Sequence, residues 1–544
     1  MPVHKITFSP SGRTTLVPEG ATILRAAEAA CEPLRAECGG RGACGRCLVR
    51  ILDGQVPEYR VLRRESGLPN VLACLTPVHG PLTVLPLVEE QLPKLVSRDD
   101  NVGVRPLADW APWPLELEPL VESREDGGLA VALDIGTTTL RLLLIRLADG
   151  VVVGAAGAYN PQIPRGADVI SRIVAAEKGA LPELSSAVRD TVASMIGEAA
   201  EQAGADAARI LGYMVAGNLT MVHLLLGADP SGIRRVPSSP DSLAFPPADA
   251  AQLGWPGSRA PVFTVPAVGG WVGGDILSGA LRAGFSRSEG LTLYVDLGTN
   301  GEIVIGGADF AMACACSAGP AFEGSGIRCG MRADRGAVDG ARIDDEIGRL
   351  DVSVIGGGRS RGVCGSGLIA LADALFRSGW IDRGGRLTGR VPAPVCVEGQ
   401  WGRAVALRED GKVALWERDL ASLIRAKGAI FAGIRSLAGS LGTGLSVDRV
   451  VVSGNFGRFL NLPAALGIGL LPSLPLGRYG YVDNGSLEGA ALALLSRRFG
   501  EEMDSYRSRV TYVDLADVPG YMDEFVAACF LPHTSPECLE CLSP

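Results

Sequence analysis

Short apolar segments separated by polar turns occupy the first part of the chain. Residues 4–20, HKITFSPSGRTTLVPEG, predict two strands joined by the turn SPSG. Residues 21–34, ATILRAAEAACEPL, have helical character, and residues 46–54, RCLVRILDG, predict a further strand and turn. Residues 70–78, NVLACLTPV, predict the end of another strand. The pattern indicates a small unit of short strands and a helix.

Two longer apolar blocks further along the chain share one pattern. Residues 129–160, LAVALDIGTTTLRLLLIRLADGVVVGAAGAYN, predict three successive strands, the first of which ends at Asp134 before the turn GTTT. Residues 293–310, LYVDLGTNGEIVIGGADF, repeat this arrangement, with Asp296 at the end of an apolar strand and GTNG in the turn. Two copies in one chain are stronger evidence for a shared role than one copy would be.

A segment without sustained periodicity separates these regions. Residues 89–127 carry Pro, Trp and mixed charge, so they predict a linker with some helical turns. This linker divides the chain into an N-terminal domain, residues 1–88, and a large C-terminal domain, residues 128–544. The length of 544 residues is sufficient for such a multidomain protein.

Charge and hydropathy exclude several classes of protein. The net charge of −9 argues against a nucleic-acid-binding protein. No apolar run approaches the ~18–20 residues that a membrane-spanning helix needs. The N-terminus, MPVHKITFSP, lacks the charged-then-apolar pattern of a signal peptide. We therefore expect a cytoplasmic protein with neither a nucleic-acid nor a membrane partner.

The cysteines point to a metal site in the N-terminal domain. Cys38, Cys44 and Cys47 lie in the glycine-rich segment CGGRGACGRC, and 26 residues separate Cys47 from Cys74. Four thiolates are the ligand set of a [2Fe–2S] cluster, and the glycines let loop N–H groups point at sulfur. A zinc site and unligated thiols remain alternatives, although zinc sites usually pair two Cys-x2-Cys knuckles and only one is present here.

This spacing resembles that of plant- and vertebrate-type [2Fe–2S] ferredoxins, which have a β-grasp fold. Five residues separate the first two cysteines, as in the vertebrate-like variant. The resemblance covers residues 1–88 and implies that all four cysteines are cluster ligands. Cys31 is interpreted as a packed thiol.

The two Asp-x-Gly-Thr turns are typical of phosphate binding. A Gly-Thr turn offers N–H and hydroxyl donors to phosphate oxygens, and a carboxylate at a strand end can hold Mg²⁺ through water. We expect Asp134 and Asp296 to be catalytic. The candidate phosphate-binding residues are Gly136, Thr137, Thr138, Thr139, Gly298, Thr299, Asn300 and Gly301. One such turn could equally belong to an ordinary hairpin, whereas two favour a clamp around a triphosphate.

The order of these motifs resembles that of the actin/Hsp70/sugar-kinase ATPase superfamily. Residues 265–280, which include Asp275 near the hinge, match its first connecting helix, and residues 484–495 match the second. Residues 450–460, VVVSGNFGRFL, match the adenosine motif. Its candidate nucleotide contacts are Gly454 and Gly457. The resemblance implies a two-lobed, ribonuclease-H-like α/β fold that closes about a hinge.

Further stretches resemble one narrower family, the reductive activators of corrinoid proteins, which join a ferredoxin domain to this ATPase fold. These stretches are NPQIPRGADVISRI (160–173), GNLTMVHLLLG (217–227), SAGPAFEGSGIRCGMRA (317–333), GVCGSGL (362–368) and AKGAI (426–430). Together with the earlier motifs they extend the resemblance to nearly the whole chain. Some family members carry an additional domain before the ATPase, whereas here the linker runs almost directly into the first Gly-Thr turn.

The family resemblance implies a function and its partners. It implies ATP-dependent reduction of Co(II) to Co(I) by one electron, on a corrinoid protein of a methyltransferase system. The implied cofactors are a [2Fe–2S] cluster, ATP and Mg²⁺, and an upstream low-potential electron donor is required. The chain lacks the corrinoid-carrier motif D-x-H-x-x-G, so the corrinoid is expected on a partner protein. The oligomeric state, including a homodimer, is left open.

Other functions remain open at this stage. One is a small-molecule kinase with a redox-regulated domain, and another is an Hsp70-like clamp whose cluster senses redox state. A third is an ATP-driven electron donor to a different low-potential enzyme such as a dehydratase. Three further cysteines, Cys529, Cys538 and Cys541, together with His533 make a poor [4Fe–4S] ligand set, so we expect exposed tail thiols.

Overall fold

The computed structural model describes most of the chain. The described residues are 2–9, 11–30, 32, 34, 47–65, 67–87, 116–121, 128–235, 238–257, 259–298, 300–324, 326–399, 401–442, 447–454 and 460–539. Several residues singled out by the sequence lie outside these ranges. They are Cys31, Cys38, Cys44, Thr299, Gly457 and Cys541.

In the described residues of the N-terminal region, a six-stranded sheet packs against an α-helix. Its strands are β1 (Val3–Phe8), β2 (Thr14–Pro18), β3 (Leu48–Asp53), β4 (Val61–Glu65), β5 (Leu68–Leu72) and β6 (Leu82–Pro86). The strand order is β2-β1-β6-β3-β5-β4, with β1 and β6 parallel. Helix α1 (Ile23–Ala29) is capped by the Thr22 side chain and buries its apolar residues in the core of this domain. The expected β1–β2 hairpin is confirmed.

The first lobe of the C-terminal region is built on a second six-stranded sheet. Its strands are β7 (Leu129–Ile135), β8 (Thr139–Arg146), β9 (Val151–Tyr159), β10 (Ile210–Gly217), β11 (Ala248–Asp249) and β12 (Pro261–Thr264). The helices of this lobe are α2 (Val169–Ala175), α3 (Leu181–Ala203) and α4 (Leu219–Leu226). Strands β7, β8 and β9 form the expected antiparallel trio, and β10 runs parallel to β7.

The second lobe repeats this arrangement. Its main strands are β13 (Thr292–Leu297), β14 (Gly301–Gly306), β15 (Ala311–Cys316), β22 (Arg449–Ser453), β23 (Tyr479–Tyr481) and β24 (Val510–Tyr512). Strands β13, β14 and β15 are antiparallel, and β22 runs parallel to β13 as β10 does to β7. The sequence repeat is therefore a repeat of sheet topology.

Smaller sheets and further helices complete the second lobe. The additional strands are β16 (Ala337–Asp344), β17 (Arg349–Val354), β18 (Gly362–Val363), β19 (Cys396–Gly399), β20 (Gly402–Ala406) and β21 (Ala414–Trp416). The helices are α6 (Gly365–Arg377), α7 (Glu417–Ser440), α8 (Leu462–Gly467), α9 (Gly485–Leu495), α10 (Arg497–Arg507) and α11 (Tyr521–Ala528). Residues 116–121 of the expected linker lie along α9, where the N–H of Leu120 donates to the carbonyl of Leu494 at 2.9 Å.

Helix α9 and helix α5 (Gly274–Arg282) cross between the two sheets. The N-terminal half of the stretch expected to form the first connecting helix is not helical, because α5 begins only at Gly274. A Cβ atom on Gly489 would lie 2.3 Å from the Ser278 carbonyl oxygen, so the crossing requires glycine there. One cluster of buried residues contains side chains from both sheets and both helices. The two lobes thus share a core at this crossing.

Candidate functional site

Two of the four expected cluster ligands are described, and they lie together. Cys47 directly precedes β3, and Cys74 follows the end of β5, its antiparallel neighbour. The Cys74 N–H group points at the Cys47 sulfur, 3.5 Å away. Their side chains are 1% and 7% exposed. Cys38 and Cys44 lie outside the described residues.

The environment of Cys47 suits a metal ligand. A hydrogen bond with the Cys74 thiol, together with burial, raises the pKa of Cys47 above its ordinary value. The Cys47 thiol therefore stays protonated unless a cation replaces its proton, as iron does in a cluster. The N–H group aimed at sulfur is the kind of donor that stabilises a ligated thiolate. The pair fits the expected [2Fe–2S] centre.

In the first hairpin, β7 places Asp134 at its end, facing the second lobe. The Asp134 carboxylate accepts hydrogen bonds from Asn484 at 3.0 Å and from Ser486 at 2.7 Å. Both donors lie at the start of α9, where Asn484 also caps the helix. Burial raises the pKa of Asp134, and the two donors oppose this effect.

Three polar side chains hold the turn that follows Asp134. The Gly136 N–H donates to the Thr139 carbonyl at 2.9 Å, which closes the turn. Asn160 donates to the Gly136 carbonyl at 2.8 Å, and Asn218 donates to the Thr137 hydroxyl at 3.1 Å. The third side chain belongs to Arg172, which donates to the Thr137 carbonyl. Asn160 and Arg172 come from the stretch 160–173, and Asn218 from the stretch 217–227.

The second hairpin is similar, but its turn is one residue shorter, because Leu297 pairs with Gly301 whereas Ile135 pairs with Leu140. Asp296 lies near the end of β13, and the Gly298 N–H donates to the Asn300 carbonyl at 3.1 Å. The Tyr294 hydroxyl donates to Asp296 at 3.3 Å. A Cβ atom on Gly301 would lie 2.7 Å from the Ile430 side chain, so this position has no room for one. Thr299 lies outside the described residues.

Four carboxyl groups converge between the hairpins. Burial, followed by the charges of Asp134 and Asp296, raises the pKa of Asp275 to about 8. Burial and the charge of Asp134 raise the pKa of Asp296 to about 6. Glu302, opposite Asp296 in the β13–β14 ladder, has a pKa raised well above its ordinary value, chiefly by burial. A divalent cation would relieve this mutual repulsion, because it favours the charged form of each group.

Sequence analysis assigned no catalytic or binding role to Asp275 or Glu302. Asp275 stands in the first turn of α5, where an acidic residue is common for reasons of helix stability alone. Glu302 follows the second turn within an apolar strand. The sequence could have identified Glu302 as a candidate site residue, because it is an acidic residue within an apolar strand and such a group is rarely buried without a partner.

The adenosine motif is represented by Gly454, which follows β22 beside the second hairpin. Its φ angle is +95°, and a Cβ atom there would lie 2.7 Å from the Leu297 carbonyl oxygen. Only glycine fits this close approach between strands. Gly457 lies outside the described residues.

The stretch 317–333 lies opposite the first hairpin. The Thr138 hydroxyl donates to Glu323 of the second lobe at 3.4 Å. The Arg332 guanidinium carbon lies 4.0 Å from the centroid of the Tyr159 ring at the end of β9. These contacts join the lobes at the mouth of the cleft that the hairpins line.

Comparisons with known proteins agree with this architecture. A family model for the 2Fe-2S iron-sulfur cluster binding domain matches residues 6–79. The model of the RACo middle region matches residues 129–288, and that of the C-terminal RACo domain, described as the ASKHA domain, matches residues 290–543. The "corrinoid activation enzyme RamQ" of Eubacterium limosum is 31% identical, over 91% of this chain and 93% of its own length.

The chain belongs to the family of reductive activators of corrinoid proteins. A solved structure from this family, "reductive activator for corrinoid,iron-sulfur protein", is 33% identical, with a TM-score of 0.71. It matches over 98% of this chain and 99% of its own. A reductase of Methanosarcina barkeri, specific for a Co(II) methylated-amine corrinoid protein, is 27% identical over 23% of this chain and 27% of its own.

Family membership confirms several expectations. The fold class is confirmed: an N-terminal ferredoxin domain and a C-terminal ATPase domain of the actin/Hsp70/sugar-kinase type. The expectation of an enzyme is confirmed as well. Within the described ranges, no helix is both long and apolar enough to cross a bilayer.

The expectation of exposed thiols near the C-terminus of this reductive activator is wrong for the two cysteines that the structure describes. Cys529 and Cys538 are partly buried. The side chain of His533 is 2% exposed, and its Nε2 atom lies 3.2 Å from the Glu524 carboxylate. The tail packs against α7 in a small buried cluster, which covers these groups. Cys541 lies outside the described residues.

Proposed function

We propose that this protein reduces Co(II) to Co(I) on a separate corrinoid protein of a methyltransferase system, one electron at a time and at the expense of ATP. The observation that carries the ATP dependence is the convergence of Asp134, Asp275 and Asp296 between two phosphate-type hairpins. Membership of the reductive-activator family supports the corrinoid substrate. An upstream low-potential donor must return the electron that leaves the protein in each turnover.

The redox half of the proposal assigns the cluster ligands. Cys38, Cys44, Cys47 and Cys74 would hold the [2Fe–2S] cluster, which supplies a one-electron carrier of about −400 mV when its potential is that of plant-type ferredoxins. The described pair, Cys47 and Cys74, contributes buried sulfur ligands and an N–H group directed at sulfur. One electron leaves the protein and one is gained by Co(II), so the transfer needs no proton.

The ATP half assigns the two turns and the carboxylates. Asp134 and Asp296 would organise Mg²⁺ through water, and Mg²⁺ would neutralise charge on the phosphates. Gly454 and Gly457 would face the adenosine. The phosphates would be bound by Gly136, Thr137, Thr138, Thr139, Gly298, Thr299, Asn300 and Gly301. The proposal places this chemistry in residues 128–544 and the electron carrier in residues 1–88, with residues 89–127 as the linker.

The coupling has a modest energetic requirement. For one electron, ~59 mV corresponds to a factor of ten in an equilibrium constant. An uphill gap of ~100–200 mV is therefore only a few kcal/mol, which coupling between binding sites can supply. The nucleotide states must then differ in affinity for the Co(II) partner, because a ligand that binds both states equally shifts nothing.

The deciding experiment is an anaerobic reduction assay. A Co(II) corrinoid protein of the host, a reductant and this protein are mixed with or without Mg-ATP, and visible spectra follow the Co(I) band. We expect Co(I) only with ATP. Cys44→Ser should hydrolyse ATP but form no Co(I), and Asp296→Ala should keep a reducible cluster but form no Co(I).

Two results would contradict the proposal. Equal formation of Co(I) with and without ATP would exclude the coupling. ATP hydrolysis without reduction of any host corrinoid protein would favour the alternative, an ATP-driven electron donor to another low-potential enzyme.

A further inference from the structure

Arg172 of α2 is a buried cation beside the first hairpin. Its side chain is fully buried, and burial lowers its pKa to about 9. The guanidinium donates to the Gly166 carbonyl at 2.9 Å, the Gln162 side-chain oxygen at 3.2 Å and the Thr137 carbonyl. It also contacts the sulfur of Met221 at 3.0 Å.

All the oxygen acceptors of this guanidinium are neutral. Within the part of the chain that the structure describes, no carboxylate accepts a hydrogen bond from Arg172. Asp168 acts on it only at longer range, because its carboxylate caps the N-terminus of α2. Buried charges are usually paired, since an unbalanced charge in a protein interior is costly. Within the described residues, the positive charge next to the hairpin therefore has only neutral hydrogen-bond partners, and Asp168 offsets it only at longer range.

The bond to Thr137 also fixes the orientation of one peptide group. In a trans peptide, the carbonyl of Thr137 and the N–H of Thr138 point in opposite directions. Because the carbonyl faces Arg172, the N–H of Thr138 faces away from it. The Thr138 hydroxyl contacts Glu323 of the second lobe, so Thr138 lies at the cleft.

We propose that Arg172 is a positioning residue for polyphosphate binding, which holds the Thr137–Thr138 peptide in its donating orientation and balances the phosphate charge from behind the hairpin. This inference rests on the proposed nucleotide site. A polyphosphate is the ligand whose negative charge matches both the donors of the turn and the unbalanced cation behind it. The contribution of the charge grows with the number of phosphates, whereas a purely structural role would affect all nucleotides equally.

The test compares ATP, ADP and AMP as ligands of the full-length protein, by titration calorimetry with Mg²⁺ present. For Arg172→Met, we expect affinity to fall by about 10-fold or more for ATP, by less for ADP and least for AMP. Arg172→Lys keeps the charge but cannot form the same set of bonds, so it should recover part of the loss for ATP. The control is Arg189→Met, because Arg189 of α3 likewise donates to a carbonyl, that of Leu225, away from the hairpin.

Each outcome separates the inference from the function on which it rests. If wild type binds ATP and Arg172→Met binds it equally well, the inference about Arg172 fails, whereas the proposed nucleotide site remains supported. Equal losses of affinity for ATP, ADP and AMP would show that Arg172 has only a structural role, and they would also overturn the inference. If wild type binds none of the three nucleotides, the proposed function fails and takes the inference with it. Should Arg172→Met not fold, Arg172→Gln decides: its amide can still donate a hydrogen bond but carries no charge, so its loss of affinity must again be largest for ATP.

Discussion

Ser486 donates its hydroxyl to the carboxylate of Asp134 at 2.7 Å, although it lies 352 positions further along the chain. The contact links the first phosphate-type hairpin to the N-terminus of α9, one of the two helices that cross between the lobes. A change in the charge around Asp134 therefore acts directly on a crossing helix. This gives the proposed nucleotide site a physical connection to the relative position of the lobes.

Replacing either hairpin aspartate should impair ATP hydrolysis. Asp134→Ala and Asp296→Ala each remove a partly buried carboxylate that would organise the metal, so we expect at least a ~10-fold loss of ATPase rate. The control is Asp149→Ala, because Asp149 lies beyond β8 and pairs with Arg146 away from the cleft. Normal rates of hydrolysis in both cleft variants would refute the assignment of the hairpins.

Loss of a described cluster ligand should remove the iron. The anaerobically purified protein is expected to be brown, to contain one [2Fe–2S] centre and to give a rhombic EPR signal on reduction. Cys47→Ser and Cys74→Ser should lower the iron content, measured by elemental analysis, because both sulfurs are buried at one site. Cys396→Ser, at a partly buried thiol of β19, should retain all the iron. Stoichiometric zinc and no iron, after expression with ample iron, would exclude the cluster.

Adding one methyl group at the helix crossing should destabilise the ATPase domain. Gly489→Ala places a Cβ atom 2.3 Å from the Ser278 carbonyl oxygen, so α5 and α9 must move apart. We expect about 1–3 kcal/mol lower stability in chemical denaturation. Gly197→Ala in α3 is the matched control: nothing lies within 4 Å of its added Cβ, so it should gain about 0.5–1 kcal/mol. Equal stability of the two variants would mean that the crossing is not tightly packed.

A buried lysine should make stability depend on pH. Lys427 of α7 donates to the Pro532 and Gly469 carbonyls, and burial lowers its pKa from 10.5 to about 7. At a pH between those two pKa values, Lys427 is protonated in the unfolded chain but largely neutral in the folded protein. The free energy of unfolding therefore rises as the pH rises through this range.

The comparison with Lys427→Met isolates this effect. From about pH 7 to about pH 10.5, the stability of wild type relative to the variant should rise, by up to about 5 kcal/mol. Below pH 7, where the lysine is charged in both states, the difference should stay constant. Urea denaturation at several pH values measures it, and parallel profiles for the two proteins would show that Lys427 is not responsible.

The parts of the fold that depend on contiguous residues could be predicted from the sequence. Strand β7, the turn after Asp134 and strand β8 form a contiguous hairpin, so a short segment contains nearly all the information that determines it. Its repetition at Asp296 indicated two related lobes. The first connecting helix was placed too early: residues 265–273 contain one proline and three glycines, which disfavour a helix, and the helix begins only at Gly274.

The complete carboxylate site could not be predicted in the same way. Asp275 lies at the start of a helix and has no local sequence signature, whereas the signature of Glu302 is only that of a carboxylate within an apolar strand. They become part of the site because the two lobes bring α5, β13 and β14 against β7. The same holds for Arg172, whose partner Thr137 lies 35 residues away in the chain.

The sequence by itself determined the two hairpins, the cysteine spacing and the order of the motifs, since each depends on neighbouring residues and on local backbone geometry. Only the tertiary structure decided which charges meet. Asp134 reaches Ser486, and Asp275 joins Asp134 and Asp296, through packing of distant segments. Burial then sets the pKa of these groups. Removal of a carboxyl group from water raises its pKa by desolvation, and every negative charge nearby raises it further.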